Sequence, residues 1–93
     1  MKPSESAWTD YLTAYYASLA ASAARDAARD VYDVRLSADV IDPAAIADAW
    51  SDYLATHDAS VVAIATHKAA GAVYDALPSH LRTRRRHAAS YDR

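Results

Sequence analysis

Two nearly identical hexapeptides decide how this chain is read: AWTDYL at residues 7–12 and AWSDYL at residues 49–54, 42 positions apart. Sliding the sequence on itself by 42 extends the match through residues 7–33 against 49–75, where 14 of 27 positions are identical. Shared alanines alone carry little weight in so Ala-rich a chain. Trp, Tyr, Leu, Val and Asp in one register carry more, and the pattern reads as one long helix written twice.

The composition agrees with helix. There is one glycine and there are three prolines in 93 residues, and alanine has the best intrinsic helix propensity. In the first copy Trp8, Leu12, Tyr15, Leu19, Ala23, Ala27, Val31 and Val34 recur at steps of three and four. The second copy repeats the rhythm in Ile46, Trp50, Leu54, His57, Val61, Ala65, Ala69, Val73 and Ala76. That is the period of one α-helical turn. A first helix is expected over about 5–35, capped by Ser4 or Ser6. LSADVID (36–42) connects it to a second helix over about 43–77, started by Asp42-Pro43 and stopped by Pro78.

Two like helices on a short connector fold back antiparallel. Residues whose numbers sum to 77 or 78 then share a level, which sets Trp8 on Ala69 and Trp50 on Ala27, each indole against the other copy's Ala-Ala pair. Trp8, Leu12, Leu19, Trp50, Leu54 and Val61 are the expected structural core. The expected class is therefore all-α: residues 1–78 as a duplicated hairpin, and 79–93 as a short basic helix or tail. A lone hairpin leaves apolar surface bare, and bare apolar surface marks a partner. Pairing into a four-helix-bundle homodimer is the simplest cover, and a third helix lying across the hairpin is the competing one. Tyr11, Tyr16, Tyr53 and Tyr74, beside the main stripe, are the expected partner-binding residues, since tyrosine suits half-wet interfaces.

Charge is split along the chain. Residues 1–78 hold eleven carboxylates against five Lys and Arg, whereas 79–93 hold five arginines against one aspartate. Arg82, Arg84, Arg85 and Arg86 are thus candidates to contact nucleic acid or an acidic partner. The alternatives are a solubilising tail and an arm that neutralises the acidic body of its own dimer.

Catalytic signatures are missing. No cysteine can supply a nucleophile or thiolate ligand, and one glycine cannot build a phosphate loop. The four histidines show no metal-binding spacing such as HExxH. Asp10 and Asp52, the carboxylates of the two hexapeptides, are expected far apart on antiparallel helices. No metal, cofactor or enzymatic activity is expected. The start MKPSESAW lacks an apolar signal core and no apolar run is long enough to span a bilayer, so a soluble cytoplasmic protein is expected. The reading is a non-enzymatic protein-interaction module, such as a small inhibitor or adaptor of mobile-element type; the alternative is a nucleic-acid-binding module that uses the arginine tail.

Overall fold

The structure of the protein, a computed structural model, describes residues 3–78. Helix α1 spans Pro3–Leu36, helix α2 spans Pro43–Asp75, and no strand occurs among the described residues. At 1.5 Å per residue each helix is about 50 Å long. The two pack against each other as an antiparallel hairpin. The third helix anticipated after Ser79 lies outside the described residues.

The turn of the hairpin is made by local chemistry. Ser37 donates its amide to the carbonyls of Asp33 and Val34 at 3.1 and 3.2 Å, which closes α1. Asp42 sits in extended backbone and its carboxylate accepts from the amides of Ala44 and Ala45 at 3.1 and 3.3 Å. Two amides left free by the first turn are thereby satisfied, and Pro43 needs none. Ile41 before the cap and Ile46 four residues after it line one groove, the arrangement of a hydrophobic staple. The helix then runs through Thr56-His57-Asp58 without a break, as the matching part of α1 does.

The seam between the helices differs from the one expected. Its residues recur at alternating steps of four and three, and ten of the sixteen are Ala, Ser or Thr. In α1 they are Ala7, Tyr11, Ala14, Ser18, Ala21, Arg25, Ala28 and Tyr32; in α2 they are Ala49, Tyr53, Thr56, Ser60, Ala63, His67, Ala70 and Tyr74. All of these are buried or half-buried. The mean step is 3.5, the coiled-coil spacing that keeps one stripe facing its partner along a long helix. Every α2 seam residue lies 42 positions after its α1 counterpart, so matching sequence occupies matching place. Ser18 and Ser60 show this in detail. Both are buried, and each hydroxyl donates to the carbonyl three residues back, Tyr15 or His57, at 2.7 Å. A hydroxyl satisfied on its own helix can sit in a seam without a penalty for lost water.

The bulky stripe expected at the seam is thus displaced to its flank. Leu19, Trp50, Leu54 and Val61 are 50, 41, 43 and 53 % exposed. Only Trp8 is buried and Leu12 half-buried. The register differs too: Trp8 meets Tyr74, Tyr32 meets Trp50 and Tyr15 meets His67, pairs whose numbers all sum to 82. That is about one helical turn from the expected 77–78, and each indole lies on a tyrosine and not on an Ala-Ala pair. The Ala, Ser and Thr positions let the two backbones approach closely between the ring-bearing layers, whereas an unbroken line of Trp, Leu and Val would hold them apart. The hydrophobic core is correspondingly local. It gathers Ala7, Trp8 and Tyr74, with Tyr11, Leu12 and Leu77 packed on it, at the end where the chain enters and leaves the hairpin.

Ala49 is 4 % exposed in this seam. Ala49→Leu should therefore lower stability by about 1–3 kcal/mol through overpacking. Val62→Ala, on the outer surface, should stay within about 0.5 kcal/mol. Thermal melts followed by circular dichroism compare the two.

Candidate functional site

Each end of the hairpin carries an aromatic group of the same design. At the terminal end Trp8 stacks on Tyr11 of its own helix, with centroids 5.6 Å apart, and tilts against Tyr74 of the other at 5.5 Å. At the tip Trp50 lies 5.4 Å from Tyr53 and 5.0 Å from Tyr32. Such offset and tilted pairs place ring edges on ring faces and add to plain burial. The groups differ in what surrounds them. Tyr11 shares a groove with buried Gly71, where the missing side chain leaves room for the ring, and His67 tilts against it at 5.1 Å. At the tip the counterpart of Gly71 is Arg29, whose guanidinium lies over Tyr53 at 5.5 Å. Arg29 also donates to Asp33 at 3.2 Å, and these two partners, Asp33 foremost, push its pKa up from the ordinary value.

The expected site residues are scattered by this arrangement. Tyr74 is fully buried and packs on Trp8, so it is a core residue and presents nothing to a partner. The correction has a simple cause: Tyr74 falls on the seam, where the four-three spacing turns it inward. Tyr11 and Tyr53 are half-buried in the two ring groups. Tyr16 is 62 % exposed and tilts against Tyr15 at 5.4 Å. The four tyrosines do not form one surface. Arg82, Arg84, Arg85 and Arg86 lie outside the described residues.

What does form a surface is the displaced stripe. In an antiparallel pair the positions next to the seam on one side of each helix share a face. Trp8, Tyr15 and Arg29 of α1 and Trp50 of α2 all touch seam rings of the opposite helix, which places them on one face of the hairpin. Leu12, Leu19 and Leu54 lie one turn beyond Trp8, Tyr15 and Trp50 on the same side, and Val61 lies two turns beyond Leu54. With residues at a sum of 82 level, Trp8, Leu12, Tyr15 and Leu19 occupy the first half of α1, and Val61, Leu54 and Trp50 continue the line along α2. The stripe crosses the face diagonally. The remaining corners are polar: Asp26, Arg29 and Asp33 on α1, Lys68 and Asp75 on α2. Arg25–Asp26 and Arg29–Asp33 form ion pairs at 3.1 and 3.2 Å there.

The tip adds apolar groups, of which the periodic stripes include only Val34. Val34, Leu36, Val40 and Ile41 are all exposed, Val40 by 83 %. Beside them Tyr32, Ile41, Pro43, Ile46, Ala47 and Trp50 line an open groove of about 380 Å³. Its sequence signal was Val40-Ile41, an apolar pair in a connector that otherwise needs none.

Among the described residues, acid–base or metal chemistry finds no constellation. Asp10 and Asp52 are both exposed, and 20 residues of helix, about 30 Å, separate their levels. No three described His, Cys, Asp or Glu side chains are grouped to hold a metal ion. No described helix is long and apolar enough to cross a membrane. No family model, curated protein or solved structure matches the chain.

Removing the buried ring should unsettle the fold while removing the outer one should not. Tyr74→Ala should cost about 3–5 kcal/mol, as large core truncations do. Tyr16→Ala should cost less than about 0.5 kcal/mol. Urea denaturation of both variants measures the difference.

Proposed function

We propose that the chain is a protein-binding module: a hairpin made by doubling one helix, which pairs with itself through the diagonal stripe into a four-helix bundle and, so paired, covers a surface of another protein. It performs no chemistry of its own, and its natural class is the small cytoplasmic inhibitor or adaptor.

The observation that carries this reading is the stripe. Leu19, Trp50, Leu54 and Val61 lie in line and between two-fifths and just over half exposed. Only Ala7, Trp8, Ala14, Ala49 and Tyr74 form the buried apolar core among the described residues. Two 50 Å helices are long for so little burial, and a bundle with a second copy would add what one hairpin lacks. The areas are compatible. From the level of Trp8 to that of Trp50 is about 36 Å, and two adjacent helices are about 20 Å wide, giving a face of about 700 Å². A stable complex buries about 800 Å² per partner.

Trp50 reports on this pairing. In Trp8→Phe, which leaves Trp50 as the single indole, emission should move to shorter wavelength as concentration rises and light scattering passes from monomer to dimer. A monomer at every concentration, with unchanged emission, contradicts the reading.

The arginine tail supports a second reading, binding of nucleic acid, on sequence grounds alone. Its test is a mobility shift with and without residues 79–93. Four phosphate contacts would give a log–log salt slope of about −3.6, lost on truncation. Binding that is absent, or indifferent to truncation, removes this reading.

A further inference from the structure

The diagonal stripe ends at the tip in the apolar groove of Tyr32, Ile41, Pro43, Ile46 and Trp50. Its aromatic and aliphatic walls are set in the most acidic part of the hairpin. Beyond the level where Arg29 meets Tyr53, residues 29–53 carry Asp30, Asp33, Asp39, Asp42, Asp48 and Asp52 against Arg29 and Arg35, a net charge of −4. All eight of these side chains are exposed. Asp42 caps α2 and Asp33 holds Arg29, and both still contribute to the field at the tip. Indole and phenol faces rimmed by carboxylates suit one kind of occupant, an arginine-bearing segment. Guanidinium stacks on aromatic rings and pairs with carboxylates at once. Arg29 already does both one turn away, over Tyr53 and against Asp33.

The chain owns such a segment in Arg82, Arg84, Arg85 and Arg86, but the same copy cannot deliver it. Arg86 is eight residues beyond Pro78, which fully extended is about 28 Å. From Trp50 to Asp75 the helix alone runs 25 residues, about 38 Å. The arginines of one copy therefore fall short of its own groove. A second copy lying antiparallel on the stripe would bring its terminal end, and with it the arginine segment, to this tip.

We propose that the tip groove of each hairpin receives the Arg82–Arg86 segment of a second copy, so that the pair is antiparallel and each copy holds the other's tail. This rests on the pairing put forward above and specifies its direction and its ion pairs. Pairing through the stripe alone leaves the direction open, because the stripe runs from Trp8-Leu12 to Leu54-Trp50 and reads nearly the same from either end. The tail removes that ambiguity.

The natural absence of cysteine allows a clean test on the full chain. Val40→Cys marks the tip and Thr83→Cys marks the tail, in two separately tagged chains that are mixed and joined with a short bismaleimide. The expected result is a mixed tip-to-tail product that outweighs both homotypic products. It should be lost at 1 M salt and in chains with Arg82, Arg84, Arg85 and Arg86 changed to Glu. Sedimentation of the same mixture separates the two ways of failing. A dimer that yields mainly homotypic products, or no mixed product because the tail engages added duplex DNA instead, overturns the tail-to-groove contact and leaves pairing intact. A monomer at all concentrations overturns both.

Discussion

Two helices held close by alanine and serine at alternating three- and four-residue steps set the terms for everything else in this hairpin. A small side chain buries little area, so each seam layer contributes little apolar free energy. What the layers provide is proximity along some 50 Å. Stabilisation beyond that must come from groups able to reach across a close seam, and these are the rings. Tyr11, Tyr32, Tyr53 and Tyr74 occupy seam positions at the two ends, and Trp8 and Trp50 close over the tyrosines of the opposite helix. Arg25 enters mid-seam by another route, with its stem half-buried and its head paired with Asp26.

The same constraint drives the large aliphatic residues outward. Leu19, Leu54 and Val61 have no place between backbones this close, and they line up on one flank. The two ends then diverge. Gly71 leaves room at the terminal end and Trp8 is only 9 % exposed; Arg29 takes the equivalent place at the tip and Trp50 is 41 % exposed. One end is closed and forms the core, and the other keeps an open aromatic groove among aspartates. A near-symmetric chain thereby acquires a direction.

Much of this was legible in the sequence. The two hexapeptides, Asp42-Pro43 and the scarcity of glycine specify two long antiparallel helices, with ends read within about two residues. The seam was not legible in the same way, because hydrophobic periodicity weights residues by size. Trp, Leu and Val draw the eye to a stripe of period near 3.7, while Ala7, Ala14, Ser18, Ala49 and Ser60 pass as background in an Ala-rich chain. The correct cue is spacing: only the small stripe keeps to 3.5 over eight positions of each helix. Tyr74 was misplaced for the same reason. The tip groove was hidden because Tyr32, Ile41 and Trp50 meet only once the connector has turned.

The most direct measurement of the seam is disulfide formation within one chain, since no native cysteine interferes. Ala21 and Ser60 are seam residues within one step of the same level, and a disulfide needs its two Cα atoms within about 7 Å. Ala21→Cys with Ser60→Cys should oxidise rapidly to an intramolecular bridge at low concentration. Leu19→Cys with His57→Cys, level with each other if the bulky stripe were the seam, should not. A bridge in the second pair and none in the first would contradict the small-residue seam and return Leu19, Leu54 and Val61 to the interior.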